Sequence, residues 1–208
     1  MPISSCRTVR RSQAVETFKT ASDCIGKISK GMGLFAMTRG QFSMIDAVFA
    51  CLDQMGPSNI TVWTWTVAEY EMESMEKLMR DGRVTGGTLI IDHGARQKNR
   101  KLLQMWQSTF GKDSVRYVVN HAKIVTLQSD DLSLLMRGSF NLNFNPRFEQ
   151  FDVTEGGEDF DLVRGIEEEL PILSDYCSGA EPVKASKLGN AFSLEQLDMF
   201  KGAKVWAK

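Results

Sequence analysis

The chain has 208 residues, 42% of them hydrophobic, with 25 Lys/Arg against 26 Asp/Glu and a formal net charge of −1. That is enough length and apolar content to bury a core, and the near-neutral balance excludes a partner held by bulk positive charge alone. No run reaches membrane-spanning length, and four scattered cysteines without a Cys-x-x-Cys pair speak against a zinc site or a redox pair.

Residues 1–40 carry seven Lys/Arg against two Asp/Glu and few apolar residues, which predicts a basic N-terminal arm. Met1-Pro2-Ile3-Ser4-Ser5-Cys6-Arg7 has no apolar core of a secretory signal, and the unpaired cysteines fit a reducing compartment, so a cytoplasmic location is expected. Ser43 is an N-cap ahead of Ile45, Val48, Phe49 and Leu52 at helical spacing, and Gly56-Pro57 ends that helix. Asn59 to Val67 reads as a strand with Trp63 and Trp65 on one face. Met72, Met75 and Met79 mark a helix from about Glu69 to Arg80. Thr88 to Asp92 is a continuous apolar strand, closed by His93-Gly94, where the histidine has no motif around it. A helix from about Ala95 to Phe110 follows. Its first turns carry Arg96, Lys98, Arg100 and Lys101, which can contact phosphates or simply face solvent. Ser114 to Val119 is a further strand.

The next stretch carries the chemistry. His121-Ala122-Lys123 leads into Ile124-Val125-Thr126-Leu127, and a second apolar run from Leu132 to Met136 leads into Gly138-Ser139-Phe140-Asn141. The Gln128-Ser129-Asp130-Asp131 tip between them predicts a hairpin. With Ser129 to Asp131 as the loop, Gln128 pairs with Leu132, and His121 falls opposite Ser139. Glu149 follows in Phe148-Glu149-Gln150-Phe151. An imidazole, an ammonium, a hydroxyl and a carboxamide on one pleated face suit a phosphodiester. Imidazole attacks phosphorus, the other groups donate to the non-bridging oxygens, and a carboxylate can orient the imidazole.

His-x-Lys followed by Gly-Ser-x-Asn, with Glu149 downstream, resembles the signature (the HKD motif) of the phospholipase D superfamily. The resemblance spans roughly Gln41 to Glu169. The family usually carries an aspartate where this chain has Gln128, and Asp130 or Asp131 is a candidate for a displaced carboxylate. The family site is built from two motifs, and this chain has one, with only two histidines, His93 and His121. Single-motif members resemble the small bacterial nucleases that complete their site as homodimers. The resemblance therefore implies a metal-independent mechanism without cofactors. In it, His121 of one subunit attacks, His121 of the other protonates the leaving oxygen, and Lys123, Ser139, Asn141 and Glu149 support the reaction.

After Glu149, Phe151 to Val153 completes a strand, and Asp159 to Leu173 reads as an acidic helix with Phe160, Leu162, Val163, Ile166 and Leu170. Residues 176–208 read as a linker and a short C-terminal helix, which leaves residues 41–175 as the phospholipase D-like domain. The element order predicts an α/β fold, a mixed β-sheet flanked by helices. The expected function is that of a nuclease acting on DNA or RNA as a homodimer, with no membrane partner. An inactive nucleic-acid-binding or assembly module is the alternative, and a lipid phosphodiesterase is a third reading with less behind it.

Overall fold

The computed structural model describes residues 9–14, 20–96, 98–142 and 147–170. The described residues form one eight-stranded mixed sheet flanked by five α-helices, as the element order implies. The strands are β1 (Val9–Ala14), β2 (Met32–Thr38), β3 (Ser58–Thr64), β4 (Val84–Asp92), β5 (Val115–Val118), β6 (Ile124–Gln128), β7 (Ser133–Gly138) and β8 (Glu149–Glu155). The helices are α1 (Ala21–Ile25), α2 (Met44–Met55), α3 (Glu69–Arg80), α4 (Arg100–Phe110) and α5 (Glu158–Glu169). Strand order across the sheet is β1-β2-β8-β7-β6-β3-β4-β5.

Local chemistry explains the boundaries. Ser43 caps α2 through a reciprocal capping box with Asp46, and Gly56 ends it at φ 77°, a conformation that glycine adopts without a side-chain clash. The helix expected from about Glu69 to Arg80 matches α3 at both ends. Alternating residues of the strands, such as Ile60 and Val62, Val125 and Leu127, or Leu134 and Met136, enter one large core with residues of α1 to α4. The opposite face holds a smaller cluster of Ile90, Val118 and Leu170, with Trp63 packed against it.

Two expectations are corrected. The basic arm is not an arm over residues 20–38. Met32, Leu34 and Ala36 are buried, β2 pairs with β8 along six residues, and α1 is held by a capping box between Thr20 and Asp23. β1 joins the sheet through backbone pairing with β2, which needs no apolar pattern at an edge. The helix after β8 also buries less than its pattern suggests: Phe160 and Leu170 are buried, whereas Leu162 is exposed. The C-terminal linker and helix, 176–208, lie outside the described residues, as does the end of the acidic helix beyond Leu170.

What fastens α5 is polar. Glu167 is buried and accepts hydrogen bonds from Trp63 Nε1 (2.9 Å), Thr126 Oγ1 (3.0 Å) and Arg164 (2.7 Å). Arg116 donates to the Glu167 and Leu170 carbonyls, both at 2.7 Å. Removing the carboxylate leaves the buried Thr126 hydroxyl and the half-buried Trp63 N–H without their acceptor, so Glu167→Ala is expected to cost about 3 kcal/mol. Urea unfolding of the variant checks this, and an unchanged midpoint contradicts it.

Candidate functional site

The sheet directions bring the nominated residues to one rim. β6 runs antiparallel to both β3 and β7, and β8 runs antiparallel to β7 and β2. The starts of β6 and β8 therefore meet the ends of β2, β7, β3, β4 and β5. His121 and Lys123 precede β6, Ser139 and Asn141 follow β7, and Glu149 opens β8.

The hairpin register differs from the expected one by a residue. Gln128 pairs with Ser133, not Leu132, and Ile124 pairs with Arg137. The cause is the turn. Ser129 N donates to Leu132 O (3.0 Å), and Leu132 N donates to Ser129 Oγ (3.1 Å), so the tip is Asp130-Asp131 alone. His121 is consequently not a ladder partner of Ser139. The two reach the same rim because regular pairing stops at Ile124, and Gly138 N donates to Lys123 O at 3.1 Å. Gln128, Asp130 and Asp131 stand at the other end of β6, roughly 17 Å away at the usual rise per residue. The tip aspartates therefore supply no carboxylate to this rim.

At the rim the side chains form a chain of contacts. Lys123 Nζ lies 3.2 Å from His121 Nδ1 and donates to the His121 carbonyl at 2.7 Å. Burial pulls the Lys123 ammonium below the ordinary lysine range, and the Glu149 charge opposes that shift. Ser139 Oγ donates to Glu149 and accepts from Gln150 N at 3.0 Å. Asn141 Oδ1 accepts from Trp65 N at 3.4 Å, and the Trp65 ring lies 6.1 Å from the imidazole, centroid to centroid. Glu149 thus contacts Ser139, whereas the imidazole contacts Lys123 and Trp65.

Three further residues support the rim, and of these Asn120 was not nominated from the sequence. Asn120 is buried and pins the crossing from β5 to β6, taking Asp92 Oδ2 at its N–H (3.0 Å) and giving its amide to Thr64 O (3.0 Å). Thr64, also buried, donates to Thr66 O and accepts from Leu142 N at 3.1 Å, which fixes Asn141 next door. Gly138 is required by close approach: a Cβ there would stand 2.8 Å from Gln150 O and 3.2 Å from Phe151 Cβ. Alternation then sends Phe140 inward onto Phe151 (5.5 Å) and leaves Ser139 and Asn141 facing out.

The basic residues of the α4 region divide. Arg96, Lys98 and Arg100 border one cavity together with His93, while Lys101 pairs with Glu69 at 3.3 Å. Among the described residues no group of three or more His, Cys, Asp or Glu is placed to hold a metal ion. No described helix is long and apolar enough to cross a membrane. Cys24 and Cys51 are buried thiols outside any disulfide, and burial pushes the Cys51 thiol up to about 12, which removes it as a nucleophile.

No family model matches the chain, and no curated protein matches it. Among solved structures it is similar to a polyphosphate kinase from Porphyromonas gingivalis, at 15% identity and a TM-score of 0.48. That match covers 73% of this chain and 27% of the kinase, so the chain spans about a quarter of that protein. It is also similar to a phospholipase D family member, Nuc from Salmonella typhimurium, at 16% identity and a TM-score of 0.42, covering 65% of this chain and 89% of Nuc.

The opposing effects on Lys123 give a direct check. Its titration, followed by NMR at the side-chain Cε, is expected below that of an ordinary lysine. Glu149→Gln should move it lower still, because the charge that raises it is gone. An upward move contradicts the arrangement.

Proposed function

We propose that this chain is a phosphodiesterase of the phospholipase D superfamily, acting on nucleic acid through a covalent phosphohistidine. The observation that carries the reading is the meeting of His121, Lys123, Ser139, Asn141 and Glu149 at one rim from three separate chain segments. Those are a nucleophile, donors for the non-bridging oxygens and a carboxylate, the set that displacement at a phosphodiester requires.

In the proposed reaction an imidazole nitrogen of His121 forms a bond to phosphorus as the bond to the leaving ester oxygen breaks. A proton from a second imidazole goes to that oxygen. Water then attacks the phosphohistidine, releases the imidazole and leaves a phosphate monoester. Lys123 and Asn141 stabilise the charge on the non-bridging oxygens. Glu149 holds Ser139 and keeps the Lys123 ammonium charged.

The second imidazole comes, in this reading, from a second copy of the chain. Support lies in the apolar groups around the rim. Met37, Trp65, Tyr70, Val119 and Phe148 are exposed and flank the same strand ends, with Phe148 71% exposed. Exposed apolar groups gathered on one face mark a surface that something covers, and an isologous dimer would bring two copies of that face together. A cytoplasmic location, DNA or RNA as substrate, and independence of metal belong to the same proposal.

The test is hydrolysis of a labelled oligonucleotide in EDTA. The chain is expected to cleave it, and His121→Ala to lose at least a thousandfold in rate. Sedimentation should show a dimer that Phe148→Glu converts to inactive monomer. Cleavage that chelation abolishes, or that survives in His121→Ala, overturns the mechanism. Oligonucleotide binding without any turnover would instead identify a binding module.

A further inference from the structure

The cavity beside α4 has a composition found nowhere else among the described pockets. It measures about 740 Å³ and is bordered by His93, Arg96, Lys98, Arg100, Gln104, Gln107 and Tyr117. Three of its side chains carry permanent positive charge, and no carboxylate lines it. Several other surface cations are paired: Arg80 with Glu76, Arg83 with Asp53, Arg137 with Asp152 and Asp159, Arg164 with Glu167 and Glu168. No described carboxylate forms a salt bridge with Lys98 or Arg100. A concave site lined by three cations and by no carboxylate is placed for an anion from outside.

The cavity is also tied to the rim that bears His121. Asp92 ends β4, and its carboxylate accepts from Gly94 N at 2.9 Å and from Asn120 N at 3.0 Å. One side chain thus fixes both the turn that begins with His93 and the crossing that carries His121. The ends of β4 and β6 are separated by β3 alone, two strand spacings or about 10 Å. Arg96 is held in place over the buried Tyr117 ring, 5.4 Å from its centroid, while Lys98 and Arg100 reach into solvent.

We infer that this cavity is a second phosphate-binding subsite, which takes a phosphate of a nucleic-acid chain one or two positions from the one at His121. The inference rests on the phosphodiesterase reading for the direction in which the polymer lies, and its own test is binding. Positive charge here makes affinity depend on polymer length and salt. Lys101, paired with Glu69 outside the cavity, takes no part.

The experiment measures affinity for a fluorescent single-stranded 12-mer in the His121→Ala background, which prevents cleavage. Lys98→Ala/Arg100→Ala is expected to weaken binding at least tenfold and to reduce the salt slope by about 1.4, the value for two phosphate contacts on a single strand. Lys77→Ala/Arg80→Ala on α3, with the same charge change, should stay within twofold. Tripolyphosphate serves as competitor: failure to compete assigns the subsite to nucleic acid, and competition lost in the Lys98/Arg100 variant assigns it to phosphate chains in general. Binding that survives the Lys98/Arg100 change, an equal loss in the α3 control, or no binding of the 12-mer overturns the inference. Tenfold weakening in a protein that shows no hydrolysis leaves the subsite standing and removes the catalytic reading.

Discussion

The pairing of β6 with β3 on one side and β7 on the other is the constraint from which the site follows. It sets Trp63 beside Ile124 and Ile124 beside Arg137. The residues just beyond the ladder, Trp65, His121, Lys123 and Ser139, then have nowhere to go except the same rim. β8 adds Glu149 by pairing with β7, and the missing side chain at Gly138 lets those two strands close up. A one-residue slip in either pairing would turn the slipped strand's side chains to the other face of the sheet, although the residues beyond its end would still lie at this rim.

Below the rim, buried polar contacts convert strand pairing into side-chain placement. Asn120, Thr64 and Asp92 satisfy the backbone groups that the crossing from β5 to β6 leaves without ladder partners. Such buried bonds are costly to break and resist rearrangement. On the opposite face Glu167 does comparable work for α5, which covers a sheet face with few apolar residues of its own. The fold is therefore pinned by polar contacts on both sides of β3.

The sequence made α2, α3 and the central strands legible because period and caps agreed: Ser43 with Asp46 at one end of α2, Gly56 at the other. The membership of His121, Lys123, Ser139, Asn141 and Glu149 in one cluster was also legible, since motif residues share a strand end whichever register the hairpin takes. The register itself was not. It turned on whether Leu132 pairs with Gln128 or with Ser129, a choice made by two hydrogen bonds that no pattern of apolar residues encodes. β2 escaped notice because Gly33, Ala36 and the threonine at its end dilute an alternation that Met32 and Leu34 begin. Trp65 read as a partner of Trp63 on a longer strand. β3 stops at Thr64, so Trp63 turns to Glu167 and Trp65 to the imidazole.

The central claim is that His121 is the atom donor that meets phosphorus. Rapid quenching of the chain with a phosphorus-labelled oligonucleotide in EDTA, followed by peptide mass spectrometry under alkaline conditions, tests it most directly. The account predicts an acid-labile phosphoryl adduct on the peptide that contains His121, formed and consumed at the rate of turnover. Turnover without any adduct, or an adduct on another residue, would contradict it.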